Sequence, residues 1–502
     1  MTSATKPHAK RQFNYDRMLI GGKWVEASGG LTYEIPNPAT EEVIGRAPDA
    51  SREDMRSAID AARRAFEEGS WRRSTPRDRA KVLNAIADAI EARKEEMREI
   101  LIAEAGACWV SHDTQVEWPI RHLRTYADLA ISFPFEQMLP APPIQSPMGT
   151  WLNTSMVQQA PVGVCGLIPT WNFPVFVLVH KLGPALAMGN TMVVKPSPYG
   201  PLVNLWIAEL IEQVADLPAG VINWVTGQSA EISQELVSNP SVDKISFTGS
   251  IAVGRQILTA AADRLRRVHL ELGGKSAHIL LDGDNLDMAA PALAAPSFFH
   301  SGQGCAMGTR VLVPRGLMDK AVEKMVGFVG NRDIVKIGNP SDPGVLMGPV
   351  VREERRRAIE GYIESGIREG AKLATGGKRP AGLDTGYFLE PTIFADVDNR
   401  LQIAQEEIFG PVVTVSPYED VADAIRMAND SDYGLAAMIT GTDQVKAVEI
   451  ARQLRTGNVW INNGGNIGNA PFGGFKLSGI GREGGVWGMH EFSEVQHIVW
   501  RS

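Results

Sequence analysis

The strongest constraint on the fold lies between Val162 and Leu272, where short apolar runs alternate with stretches of helical periodicity. Val162-Leu167, Thr191-Val194, Val221-Val225, Lys244-Phe247 and Val268-Leu272 read as strands. Pro174-Ala187, Leu202-Val214, Ala230-Val237 and Val253-Ala261, which separate them, read as helices. Parallel neighbours need a crossover, usually a helix, so this rhythm predicts an α/β fold with a doubly wound parallel sheet. Such sheets carry ligands beyond the carboxyl ends of their strands. A second series follows, with strands at His278-Leu281, Thr309-Val313, Val412-Val415, Ala436-Ile439 and Val459-Ile461. Gly273-Gly274 is a plausible hinge between the two series.

Outside this rhythm, Ser51 to Phe66 and Arg77 to Glu104 have the apolar spacing of covering helices. Phe133 to Pro147 is Pro-rich and leads into a β-like stretch, Gly149-Gln159, which has a counterpart at Glu491-Trp500. Two strand-like segments without a sheet of their own are expected to pair with each other and extend a neighbour's sheet. At 502 residues the chain is too long for one core, which gives two or three domains. Its net charge of −8 and the lack of a basic face argue against nucleic acid as a partner. The one basic cluster, Lys6 to Arg11, reads as a solvated tail. Three cysteines are too few for a disulfide scaffold and suit a reducing compartment. No signal-peptide run opens the sequence, and polar residues and prolines break the apolar stretch Val162 to Val194. The expectation is a soluble cytoplasmic protein with no membrane partner. The nine histidines show no metal-ligand spacing, so no metal is expected.

Several short segments carry chemistry. In Ser301-Gly302-Gln303-Gly304-Cys305-Ala306, glycines at −3 and −1 let the backbone approach a ligand and aim the thiol outward. Cys305 is then either a nucleophile or a small buried hydrophobe. Cys108 and Cys165 sit in helical and strand patterns and read as core. Glu271 ends an apolar strand at the domain junction. There it is a general base with a raised pKa or an ion-paired strand terminus. Asn172, between a strand and a helix, caps that helix or donates its amide to a developing oxyanion. Gly249 and Ser250 join a strand to a helix start that could face a pyrophosphate, although the Gly-x-Gly-x-x-Gly fingerprint is missing. Lys195 at another strand end is a ribose donor or merely solvated. His180 and His278 lie in apolar patterns and read as packed.

The order of these segments says more than any one of them. Trp171-Asn172-Phe173-Pro174, Lys195-Pro196-Ser197, Phe247-Thr248-Gly249-Ser250 and Glu271-Leu272-Gly273-Gly274-Lys275 come first. Gly302-Gln303-Gly304-Cys305, Glu406-Glu407-Ile408-Phe409-Gly410-Pro411-Val412 and Pro471-Phe472-Gly473-Gly474-Phe475-Lys476-Leu477-Ser478-Gly479 follow. From about Leu19 to the C-terminus the chain strongly resembles the aldehyde dehydrogenase superfamily, in its hydrolytic, NAD(P)-dependent form. The resemblance implies Cys305 as nucleophile, Glu271 as general base and Asn172 as oxyanion donor. It implies a cofactor surface of Ile168, Trp171, Lys195, Ser197, Gly227, Phe247, Gly249, Ser250, Gly254, Leu272, Glu407 and Phe409. Lys195 would lie near the adenosine ribose, Gly249 and Ser250 near the pyrophosphate, and Glu407 and Phe409 near the nicotinamide ribose. It also implies a Rossmann-type dinucleotide domain (1–141 and 161–273), an α/β catalytic domain (274–475) and β segments (142–160 and 488–502) that build a dimer or tetramer.

The implied reaction oxidises an aldehyde to its acid through a hemithioacetal and a thioester on Cys305. Phe176, Val177, His180, Ile467 and Phe472 would line a mostly apolar tunnel, which favours an aromatic or branched apolar aldehyde. Two positions depart from the family pattern. Thr170 stands where many relatives have proline. Pro198 replaces the glutamate with which NAD-preferring relatives grip the ribose diol. NAD remains the expected cofactor and NADP is possible, because no arginine adjoins this site in sequence. The alternatives are a coenzyme A-acylating relative, which would generally lack the Glu271 base, and a non-catalytic binding protein on the same fold.

Overall fold

The computed structural model describes residues 12–214, 216–465 and 467–501, so the basic cluster Lys6 to Arg11 lies outside the described residues. The five strands of the first series form one parallel sheet. Their spatial order is Ile222–Trp224, Thr191–Val194, Val164–Ile168, Lys244–Thr248, Arg267–Glu271. In chain order this is 3-2-1-4-5, the doubly wound arrangement, and its winding reverses between Val164–Ile168 and Lys244–Thr248. Both faces are covered, so successive strand residues pack into different cores. Val164, Ile168, Val193, Ile245 and Phe247 meet Met55, Ile59 and Ala62 of the Arg52–Glu67 helix. Cys165, Leu167, Met192 and Val194 meet Leu178, Leu182 and Leu186 of the Pro174–Met188 helix.

The second series builds a seven-stranded sheet. Its order is Lys372–Thr375, Thr392–Ala395, Val412–Tyr418, Arg310–Pro314, Ala277–Leu280, Ala436–Thr440, Asn458–Ile461. All neighbours are parallel except the first pair. After this sheet the chain returns to the first one. Gly479–Ile480 pairs antiparallel with Leu270 and Glu271, and so locks the C-terminal segment against the end of the Glu271 strand.

The two orphan β segments do pair. Asn153–Pro161 and Ser493–Arg501 form an antiparallel ladder from Ser493↔Pro161 to Arg501↔Asn153. Glu136–Leu139 joins the other edge of Asn153–Pro161, so the boundary expected at residue 141 cuts through this small sheet.

Other elements were not foreseen. Five short strands occupy residues 13–48, and Thr392–Ala395 sits inside the second sheet. The helical stretch expected from Arg77 to Glu104 is two helices, Pro76–Ala92 and Lys94–Ala105, with Arg93 between them at φ −122°, ψ 22°. No glycine or proline marks this break. At the break the Arg93 guanidinium donates to Glu96 in the first turn of the next helix and lies over the Trp206 ring.

Candidate active site

Three strand ends of the first sheet and two loops of the second converge on a cavity of about 1100 Å³. Past Ile168 the chain supplies Thr170, Trp171 and Asn172; past Phe247 it supplies Thr248, Gly249 and Ser250; past Leu270, Glu271 to Gly273. From the second sheet come Gly304 and Cys305, just before Arg310–Pro314, and Glu407 and Phe409, just before Val412–Tyr418. Asn172 and Phe409, 237 positions apart in the chain, thus line the same cavity.

The Cys305 loop is held by an unusual backbone. His300, Ser301 and Gly302 form a left-handed run with φ of 49°, 55° and 72°. At Gly302 a Cβ would lie 2.2 Å from the Gly410 carbonyl oxygen, which explains glycine there. Gln303, fully buried, locks the loop: its Oε1 accepts from the Val351 amide at 2.8 Å and its Nε2 donates to the His300 carbonyl at 3.2 Å. The backbone oxygen of Gln303 in turn accepts from Asn172 Nδ2 at 2.9 Å.

That contact bears on the capping role left open for Asn172. The Pro174–Met188 helix is capped at Phe173 without a side-chain hydrogen bond, so Asn172 does not cap it. One amide hydrogen goes to the Gln303 carbonyl, two residues before the thiol, and the Asn172 backbone carbonyl accepts from Gln115 Nε2 at 2.9 Å. An NH₂ group has a second hydrogen to give, and Asn172 lines the cavity.

Gly273-Gly274 also has a reason other than a hinge. A Cβ at Gly273 would lie 2.1 Å from Glu407 Oε2, and one at Gly274 2.3 Å from the Cys305 carbonyl oxygen. The Gly274 amide donates to Glu407 Oε1 at 3.0 Å. The two glycines let three segments meet at van der Waals distance.

Glu271 is 3% exposed, and neither carboxyl oxygen has a hydrogen-bond partner. Burial raises its pKa well above the ordinary carboxylate range, and the Glu483 carboxylate adds to this, opposed by Lys181 and Arg482. Glu483, also on the cavity wall, pairs with the buried Lys181 at 3.3 Å. Burial holds Glu407 up at about 7. Burial, and then the Glu271, Glu407 and Glu483 carboxylates, push the Cys305 thiol up.

Of the expected cofactor residues, Trp171, Gly249, Ser250, Leu272, Glu407 and Phe409 line the cavity. The Trp171 and Phe409 rings meet edge to face at 5.7 Å. Ser250 caps the Ile251–Ala262 helix, and the buried Thr248 hydroxyl beside it has no partner. An orphaned hydroxyl at a helix N-terminus suits the phosphates of a dinucleotide. Ile168, Lys195, Ser197, Gly227, Phe247 and Gly254 lie off the cavity wall. Ile168 and Phe247 are core, Gly254 is packed under Leu272, and Gly227 sits against Asp49. Ser197 Oγ accepts from the Tyr199 amide, and Lys195 is buried near the Asp49 charge.

Of the expected substrate residues, Phe176, Val177 and Phe472 are on the wall, and two are not. His180 is packed behind Phe176 against His122, with both ring centroids 4.5 Å away. Ile467 points to solvent, 73% exposed. The wall instead contains Trp118, Met288, Phe299, Met438 and Trp460. Sequence reasoning also missed Glu483 and Gln303. A signal for Glu483 existed: a lysine inside the apolar run Phe176 to Leu182 needs a buried counter-charge.

A family model for the aldehyde dehydrogenase family matches residues 24–498. The chain belongs to the aldehyde dehydrogenase family. The resemblance read from its motifs is therefore borne out, as is the α/β fold. An aldehyde dehydrogenase of Mycobacterium tuberculosis complexed with NAD+ is 41% identical, with a TM-score of 0.91 over 97% of this chain and 98% of that one. A betaine aldehyde dehydrogenase of Staphylococcus aureus in complex with NAD+ is 37% identical, with a TM-score of 0.92 over 97% and 95%. A Pseudomonas syringae aldehyde dehydrogenase mutant complexed with NAD+ and octanal is 35% identical, with a TM-score of 0.90 over 99% and 98%. The reading as a non-catalytic protein on this fold finds no support in these relatives.

Proposed function

We propose that this enzyme oxidises an apolar aldehyde, aromatic or branched, to its carboxylic acid with NAD, and releases the acid by hydrolysis. The observation that carries this reading is that Cys305, Asn172 and Glu271 all line one cavity that is otherwise rich in apolar side chains. The Cys305 thiol releases its proton to solvent water as its sulfur adds to the aldehyde carbon, and the carbonyl π pair moves to oxygen to give the hemithioacetal oxyanion. The free hydrogen of Asn172 Nδ2 and the Cys305 backbone amide stabilise its oxyanion. Trp171, Gly249, Ser250, Leu272, Glu407 and Phe409 would hold a nicotinamide dinucleotide, which would supply a hydride acceptor when bound. Glu271, its basicity raised by burial, then takes a proton from water, whose oxygen attacks the thioester. The presence of this base favours hydrolysis over transfer to coenzyme A.

The apolar preference is supported by Trp118, Phe176, Phe299, Trp460 and Phe472 on the wall. Among the described residues Arg355 is the one cationic side chain that lines the cavity, and it donates to the Ile408 carbonyl beside Glu407, which weighs against an anionic substrate. The domain division expected from the motifs fits two sheets joined at Gly273-Gly274. Val495, Val499 and Trp500 are exposed on the small sheet, which supports assembly with further copies of the chain. Among the described residues no helix is long and apolar enough to cross a membrane, and all three cysteines are unpaired, in keeping with a cytoplasmic enzyme.

Initial rates for aromatic, branched, carboxylate-bearing and quaternary-ammonium aldehydes, each with NAD and NADP and with or without coenzyme A, test the reading. The expected result is highest kcat/KM for the apolar aldehydes with NAD and no dependence on coenzyme A. Equal turnover of a carboxylate-bearing aldehyde overturns the substrate preference, and strict thiol dependence overturns hydrolysis.

A further inference from the structure

Behind Glu271 lies a buried imidazole that the reaction above does not use. His269 stands two residues earlier on the Arg267–Glu271 strand, so both side chains leave the same face of the sheet. His269 is 1% exposed, and its Nε2 faces Glu271 Oε1 at 3.6 Å. Neither Nε2 nor either Glu271 oxygen has a hydrogen-bond partner. Three orphaned buried polar atoms around one small gap are a costly arrangement unless they serve each other. The separation is a few tenths of an ångström beyond hydrogen-bond range, within reach of a small torsional adjustment of Glu271.

The other ring nitrogen is fixed. Ser246 is the register partner of His269 on the adjacent strand, and its Oγ lies 3.1 Å from Nδ1. A hydroxyl both donates and accepts. When Ser246 donates to Nδ1, the ring hydrogen is on Nε2 and points at an ionised Glu271. When the hydroxyl rotates and accepts from Nδ1–H, Nε2 becomes an acceptor for a protonated Glu271. The pair therefore complements both states through which a general base must pass.

We propose that His269 is a positioning residue for Glu271, holding the carboxyl group through its change of protonation during thioester hydrolysis. The inference rests on the proposed hydrolytic reaction. In that step a water proton passes to Glu271, the water oxygen bonds to the thioester carbon, and the carbon–sulfur bond breaks with its electron pair returning to Cys305. A carboxyl swinging freely in its pocket would lose the water; one tethered from behind keeps its other oxygen toward the cavity.

The ionised form gains more from this tether than the neutral form, because a donor to a carboxylate makes a charge-assisted hydrogen bond. The other charged or titratable groups around the pair are Lys244 on the adjacent strand, His180 and Lys181 on the Pro174–Met188 helix, Cys305 across the cavity, and Arg482, Glu483 and Glu491 from the C-terminal segment. Glu491 comes close because Gly481 has no side chain: a Cβ there would lie 2.5 Å from Glu491 Oε1 and 2.7 Å from His269 Cδ2. None of these is altered by changing His269, so their contribution to the pH profile stays constant.

His269→Phe keeps the ring and removes both nitrogens. It is expected to leave the first-turnover burst of reduced cofactor within about twofold of wild type and to slow steady-state acid release about tenfold. The acidic limb of the release rate should move up by about one pH unit, since the carboxylate loses its donor. His269→Gln, which restores a group able to donate or accept, should recover most of the rate and the original limb. An unchanged release rate and pH limb in His269→Phe overturns the proposal. So does equal slowing of burst and release, or a His269→Gln variant no better than His269→Phe, since either outcome means the ring only fills space. If His269→Phe does not fold, Ser246→Ala carries the test: an upward shift of the same limb with the burst intact supports the tether, and no shift overturns it. A wild-type enzyme that forms product only when coenzyme A is present removes the hydrolytic reading itself, a result distinct from all of these.

Discussion

Replacing Asn172 by alanine separates a catalytic role from a structural one, because the side chain does two things whose costs fall on different measurements. Its Nδ2 donates to the buried Gln303 carbonyl at 2.9 Å, which fixes the loop that presents Cys305. Loss of this bond leaves one buried acceptor unsatisfied, which costs about 1–3 kcal/mol of stability. The second amide hydrogen is the proposed oxyanion donor, and removing such a donor costs about 3 kcal/mol of transition-state stabilisation, roughly 10²–10³ in rate. Rapid-mixing measurement of the reduced-cofactor burst reads the second cost, and urea unfolding reads the first. The expected result is a burst slowed about a hundredfold or more, together with the modest loss of stability. Asn172→Asp keeps the shape and removes both donor hydrogens, so its burst should be as slow. A burst near the wild-type rate in a measurably destabilised Asn172→Ala enzyme refutes the oxyanion role and leaves Asn172 as a tie to Gln303 alone.

Glu271→Gln should retain a hydride burst while steady-state release of acid falls about 10²–10⁴-fold; a burst lost in parallel would mean that Glu271 also activates the thiol. Gly274→Ala places a Cβ where the Cys305 carbonyl lies 2.3 Å away. Backbone cannot swing aside as a side chain can, so the thiol must move, and about a hundredfold loss of burst rate is expected. A fully active alanine variant would show that the approach of these segments is not needed. Burial lowers Lys195 to about 8, so its charge is present below that pH and lost above it. If this lysine holds the cofactor, tryptophan-quenching titrations should show binding weakening as pH rises from 7 to 9, and Lys195→Met should be weaker and flat. A wild-type Kd unchanged across that range counts against the charge contributing.

Local patterns in the chain determined much of the scaffold. The alternation from Val162 to Leu272 fixes the parallel sheet, because five apolar runs with helical crossovers have few other ways to bury both faces. The short segments around Asn172, Glu271, Cys305 and Glu407 were legible because each combines a reactive or polar residue with glycine, proline or a strand end. Tertiary structure alone decided the rest. That Asn172 grips Gln303 rather than capping its helix, and that Gly274 is bare for Cys305 rather than for a hinge, depends on segments more than thirty residues apart. The same is true of Glu483 against Lys181 and the exclusion of His180 and Ile467 from the cavity wall. Periodicity reports which face of an element is buried, but hydrogen bonds and close approaches depend on what the rest of the chain brings to that face. His269 is the clearest case: in sequence it is one more histidine in a strand, and only the sheet register sets it between Ser246 and the carboxyl of Glu271.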